Sequence, residues 1–206
     1  TSRSIEKALD GQEYKKVLEI GPGDGVWTRQ IKQHVKGPMY LIEQSDEMLN
    51  IAKRRLSGIK DMSFERSDFM ESNAPGENDL IIAVRCFEYF TNKNEGLKKM
   101  CNLLSVGGKL VIVTKNADLY TTVNVQKRVV HSDQVTKTQM SDLLSQNGFI
   151  VNYIFPATLR WKVKYRVMRY IFDALHRVAV WSRGRLFIPV LYKYATESYV
   201  YVATKL

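Results

Sequence analysis

Five short runs of apolar, largely β-branched residues punctuate the first 115 positions: "KVLEI", "MYLIE", "MSFER", "DLIIAV" and "KLVIVT". Their near-continuous hydrophobicity is that of strands covered on both faces. Between them lie stretches with helical spacing, at 26–35, at 46–56 behind the cap-like Ser45, and at 94–105. Gly37-Pro38, Gly58, "NAPGEND" and Gly107-Gly108 bracket these stretches as turns. Strand alternating with helix at this spacing predicts right-handed crossovers and a parallel sheet with helices on both faces. Beyond residue 115 the pattern continues with a helix-like "KTQMSDLLSQNGF", a sixth strand "FIVNYIF" and a last strand "SYVYVATKL".

The chain has 206 residues, which suits one domain spanning 1–206 and large enough to bury a core without disulfide or metal staples. Cys86 and Cys101 have no metal-like spacing, and His34, His131 and His176 are scattered, so no metal is inferred. The sequence opens at Thr1 with the polar "TSRSIEKALD", which lacks the apolar stretch of a signal peptide. No apolar run approaches the roughly 20 residues of a spanning helix. These features lead to the expectation of a soluble, cytoplasmic protein.

The first strand runs into "VLEIGPGDGVWT" at 17–28. A strand, a glycine turn and a helix together place backbone N–H groups at the carboxyl edge of a sheet, where doubly wound folds bind ligands. A dinucleotide fingerprint needs a third glycine at the place held here by Val26, and no Gly-Lys-Ser/Thr ending makes a phosphate loop. The glycines are Gly21, Gly23 and Gly25, a spacing that serves some other ligand.

"LEIGPGDG" resembles the first motif of class I S-adenosylmethionine-dependent methyltransferases of the small-molecule and quinone-type branch. Three further elements follow in that family's order: "YLIEQSDEML", "FERSDFM" and "NDLIIAVRCFEYF". The family's glycine-pair feature stands as "LLSVGGKLVIV". The likeness covers 17–115 well, and 138–155 and the last strand more loosely. It implies a Rossmann-like, doubly wound, seven-stranded and mostly parallel sheet whose last strand is antiparallel. It further implies that Glu19 organises the glycine loop and the cofactor's amino group, and that Glu43 takes both ribose hydroxyls. Gln44 and Met48 would then lie against adenine, Asp68 would accept from its amino group, Phe69 would flank the ring, and Arg85 would stand near the cofactor. The alternative is that these carboxylates are solvated strand-end residues.

In this family the methyl group passes by in-line displacement from a sulfonium, so placing the acceptor is the enzyme's main task. "RCFEYF", after the fourth strand, would face the methyl. Glu88 is the first candidate for a general base there, Tyr89 the second, and Phe87 a wall against the substrate. The competing reading makes this a loop in which Phe87 and Phe90 pack and Glu88 is exposed. The absence of proline from "VRCFEYF" sets the chain apart from methyltransferases of exocyclic base amines and of cytosine C5, and makes Cys86 a packing residue.

The net charge of +10 is concentrated: residues 157–196 hold nine basic residues and one acidic one, Asp173. This stretch, a basic and aromatic helical insertion between strands six and seven, shows apolar residues at helical spacing from Val163 to Trp181. Lys162, Arg166, Arg169, Asp173 and His176 make the opposite stripe. Three readings follow. The helix covers the acceptor site, with Trp161 and Tyr165 as substrate-facing residues; or it lies on an anionic membrane surface; or its arginines meet RNA phosphates. The sequence therefore predicts methyl transfer to a small-molecule or lipid-like acceptor. RNA methylation, the less favoured partner class, and a non-catalytic cofactor-binding protein stand as the alternatives.

Overall fold

A computed structural model describes residues 1–9, 11–122, 134–159, 166–185 and 195–206. The chain forms α1 (Ser2–Leu9), β1 (Val17–Ile20), α2 (Thr28–Lys32), β2 (Met39–Glu43), α3 (Asp46–Arg55), β3 (Met62–Arg66) and β4 (Asn78–Val84). Next come α4 (Lys93–Leu103), β5 (Leu104–Lys115), α5 (Ala117–Thr122), α6 (Lys137–Gln146), β6 (Phe149–Leu159), α7 (Arg166–Trp181) and β7 (Thr196–Lys205).

The strands make a seven-stranded sheet in the order β3-β2-β1-β4-β5-β7-β6. Strands β1 to β5 pair in parallel, and β7 runs antiparallel between β5 and β6. This is the Rossmann-like sheet expected from the sequence, with its antiparallel last strand. β1 lies between β2 and β4, so the chain moves outward to β3 and then returns to the other side of β1. Such a reversal opens a crevice at the carboxyl ends of β1 and β4, where ligands of this architecture bind.

Each sheet face carries its own apolar layer. One joins Val17, Leu41, Ile82 and Val200 to Ile5 and Leu9 of α1, Ile31 of α2, Ala52 of α3 and Val180 of α7. The other joins Leu18, Ile81, Ile112 and Tyr201 to Leu97 and Met100 of α4 and Met140 and Leu144 of α6. Alternate residues of each central strand therefore face opposite layers, and burying one such Leu or Ile contributes about 2 kcal/mol. Local signals fix the helices between them. Ser45 caps α3 by accepting the Met48 N–H at 3.3 Å. Asp46 and Glu47 sit in its first turn and Lys53, Arg54 and Arg55 in its last, each matching the helix dipole. Thr136 and Gln139 close a capping box on α6.

Two elements differ from the sequence reading. The helix expected at 26–35 is only Thr28–Lys32, because Tyr14 and Val35 form a parallel bridge that draws the chain out of helical geometry. The helix at Ser2–Leu9 was not expected; it buries Ser4, Ile5, Ala8 and Leu9 on one face.

Candidate active site

β1 ends at Ile20, and the chain turns through Gly21, Gly23 and Gly25 with φ of +63°, +57° and +77°. Side chains with a Cβ resist this region, so the turn favours glycine throughout. Gly21 is required for space as well, since a Cβ there would come within 2.5 Å of Cys86 Cβ. At Gly23 nothing lies within 4 Å of where a Cβ would project, so this part of the turn borders open space.

Glu43, at the end of β2, braces the turn. Its Oε2 accepts the Gly23 N–H and its Oε1 the Ser45 N–H, both at 2.9 Å. Each oxygen keeps a second lone pair for another donor. Glu19 on β1 is 1% exposed, and its Oε2 has no hydrogen-bond partner; nor has the hydroxyl of nearby buried Thr28. Burial pushes the Glu19 carboxyl up to about 8; the neighbouring Thr28 hydroxyl, close to it but outside good hydrogen-bond geometry, opposes this shift and the charge of Glu43 adds to it. A buried acid with an unused oxygen lies beneath a glycine turn.

Asp68 follows β3, half-buried, and its Oδ1 accepts the Met70 N–H at 2.7 Å. Glu19, Glu43 and Asp68 thus lie at or just past three neighbouring strand ends, while Gln44 and Met48 stand exposed beside them. Phe69 is buried against Phe90, ring centroids 5.7 Å apart, with the Lys99 ammonium 5.0 Å from its ring centre. The structure therefore places Phe69 in the core under the Asp68 turn.

Past β4, Arg85 takes a left-handed backbone, φ +61°, and its N–H donates to the Val113 carbonyl at 2.7 Å. Its Nε donates to Glu88 Oε1 at 3.1 Å, and the Thr114 hydroxyl donates to Glu88 Oε2 at 3.1 Å. Glu88 is 2% exposed. That corrects the reading of it as an exposed loop residue: β5 supplies Thr114 and the strand-four turn supplies Arg85, so the carboxylate is drawn inward. Phe87 is fully buried and packs on Phe90 at 5.3 Å, because the short turn at Phe87–Tyr89 points it into the core. Tyr89, 60% exposed, faces outward. Cys86 donates its thiol to the Ile20 carbonyl at 3.0 Å, and burial pushes that thiol well above the usual range. It packs against the glycine turn. Trp161 and Tyr165 lie outside the described residues.

Thr28 and Thr114 were missed by the sequence reading. Thr28 opens the helix after the glycine turn, a position that could have drawn attention to it. Thr114 comes from a neighbouring strand and carries no local signal.

Residues 17–108, which build the glycine turn and the acidic rim, match the family described as "Methyltransferase domain". Over this segment the chain is similar to methyltransferase domains. It is 28% identical over 125 residues to malonyl-[acyl-carrier protein] O-methyltransferase of Brevibacillus brevis, covering 58% of this chain and 45% of that one. It is 32% identical over 77 residues to a Methanopyrus kandleri protein described as "Probable ribosomal RNA small subunit methyltransferase A", covering 37% and 27%. The matches thus span less than half the length of either relative. Among solved structures, N-methyltransferase NodS from Bradyrhizobium japonicum, in complex with S-adenosyl-L-homocysteine, superposes with a TM-score of 0.67. That likeness covers 99% of this chain and 84% of NodS at 13% identity, and concerns the fold.

Proposed function

We propose that the rim binds S-adenosylmethionine and that the chain transfers its methyl group to a small-molecule or lipid-like acceptor. The observation that carries this reading is the Glu19 carboxyl, buried beneath the glycine turn with an unused oxygen. An incoming ammonium is the partner it lacks, and the cofactor's amino group supplies one. Gly23 leaves room for close approach, and Glu43, already braced by two backbone N–H groups, keeps acceptor capacity for a vicinal diol. Asp68 and Gln44 stand where the adenine end would lie, with Phe69 supporting the Asp68 turn from within.

Once bound, the cofactor offers an electrophilic methyl whose leaving thioether departs neutral, so no acid is needed at the leaving group. The chain's part is to hold the acceptor in line and exclude water. Arg85, Glu88 and Thr114 form a fixed hydrogen-bonded wall past β4. We assign Glu88 a holding role there, since both its oxygens are engaged. Tyr89 is the outward residue of this turn and the one placed to meet an acceptor. The test is release of S-adenosylhomocysteine with lipid extracts, small carboxylic acids and RNA offered in parallel. Turnover with lipids or acids, reduced by Tyr89→Phe, supports the assignment. Turnover with RNA alone would replace the acceptor class.

A second reading concerns where the protein works. In α7 the exposed residues include Tyr170, Ile171, Val178 and Trp181, at 71%, 48%, 43% and 70%. Ala179 and Val180 are buried, and His176 Nε2 lies 3.3 Å from the Pro156 carbonyl. Tyr170, Ile171, Val178 and Trp181 of this helix thus face solvent, within a stretch carrying nine basic residues and one acidic one. We propose that this face docks on an anionic bilayer. Among the described residues no helix is long and apolar enough to cross a membrane, so the contact is with the surface.

A further inference from the structure

At the opposite end of the sheet from the glycine turn, a cavity of about 320 Å3 opens between α1, the turn after α7 and the strands β5, β6 and β7. Its apolar lining comes from Ala8, Phe155 and Val202. Its cationic lining includes Lys109 and Arg183. Lys109, paired across the sheet with Leu80 near the start of β4, follows the same alternation as Val111 and Val113, both fully buried. A lysine at such a core-facing position breaks the strand's apolar pattern, and departures of that kind concentrate at functional sites.

Two cations meet here. The Lys109 ammonium lies 5.6 Å from the centre of the Tyr14 ring, and the Arg183 guanidinium 4.8 Å from that of Tyr153. Arg183 is held in place: it has φ +52°, and the following Gly184 passes so close to the Ile154 carbonyl that a Cβ there would come within 2.5 Å. Burial and the charge of Arg183 both lower the Lys109 pKa, so each cation raises the cost of the other. Among the described residues no Asp or Glu lines the cavity.

The polar lining includes two side-chain amides. Gln12 gives its amide oxygen to the Tyr14 hydroxyl at 3.1 Å, and Asn152 gives its own to the Thr204 hydroxyl at 2.8 Å. In both, the NH2 group is the part left to serve a ligand. Lys7 adds a third cationic residue to the lining. A pocket that combines apolar residues, two side-chain amides and neighbouring cations matches a small organic oxyanion.

We propose that this cavity is a binding site for a small phosphorylated or polycarboxylate molecule, separate from the strand-end rim. It does not depend on the methyl-transfer reading, since no residue is shared. The probe is inorganic pyrophosphate, titrated into the full chain by calorimetry and thermal shift, with sodium chloride at matched ionic strength as control. Wild type should bind pyrophosphate and gain thermal stability beyond the chloride control. Lys109→Gln should weaken binding by about tenfold or more, as loss of a charge-assisted hydrogen bond does. With no anion present, the same variant should be at least as heat-stable as wild type, because a repelled cation has gone. Arg183→Gln should weaken binding too; because Arg183 also stacks on Tyr153, its folding is checked by circular dichroism, and Lys109→Gln carries the test if it fails. Binding equal to chloride, or equal between wild type and Lys109→Gln, overturns the proposal.

Discussion

At the scale of residues, the chain separates carboxylates by environment. Glu43 is braced by backbone donors and Glu88 by Arg85 and Thr114, while Glu19 Oε2 has only the Thr28 hydroxyl nearby, with no well-formed hydrogen bond. The cost of burying Glu19 appears in its carboxyl, raised to about 8 from an ordinary value of 4.5. The folded state therefore holds a proton that the unfolded chain releases, so this group favours folding below about 4.5 and loses that contribution as pH rises through 8. Without cofactor, the melting temperature of wild type should fall more steeply between pH 5 and pH 8 than that of Glu19→Gln, read by scanning calorimetry. Parallel curves would show the acid to be unstrained. The positions of Glu19, Glu43 and Asp68 were legible in the sequence because each sits at a strand end beside a turn signal. The burial of Glu88 was not, because its depth is set by Thr114, a residue 26 positions away on a neighbouring strand.

At the scale of elements, the strands were legible and the helix faces less so. Continuous apolar runs leave a central strand one place to go. The helix boundaries shifted where tertiary pairing overruled periodicity: the Tyr14–Val35 bridge shortened α2, and pairing of Leu104 with Asn78 ended α4 and began β5. α1 went unseen because eight residues with a polar average give little signal, although Ile5, Ala8 and Leu9 carry the helical spacing of its buried face. Helix α7 shows a different limit. Its amphipathic pattern was plain, but periodicity does not say which stripe turns inward, and here Tyr170, Ile171, Val178 and Trp181 turn outward. If that stripe meets anionic bilayers, vesicles containing phosphatidylserine should retain the protein in flotation, and phosphatidylcholine vesicles should not. Replacing Ile171 and Trp181 by serine should abolish retention while leaving the melting temperature close to wild type, since both residues are exposed. Retention unaffected by the double substitution would contradict this role for α7.

At the scale of the whole molecule, one sheet carries one acidic and two basic regions. An acidic rim lies at the strand ends around the glycine turn, a cationic cavity lies at the opposite end, and a basic, aromatic helix flanks β6 and α1. This division explains how a chain of net charge +10 can offer a carboxylate-lined site to a ligand that is itself cationic at sulfur and nitrogen. The fold follows from the order of strands, and the site follows from the fold, because reversal at β1 brings the ends of β1, β2 and β4 together. The measurement that bears most directly on this account is isothermal titration of S-adenosylmethionine into wild type and Glu43→Ala. Removing Glu43 takes away the brace on Gly23 and, on the proposed reading, the acceptor for the ribose, so the account predicts saturable binding to wild type and affinity at least about tenfold weaker in the variant. Absence of binding to wild type, or equal affinity in the two proteins, would contradict it.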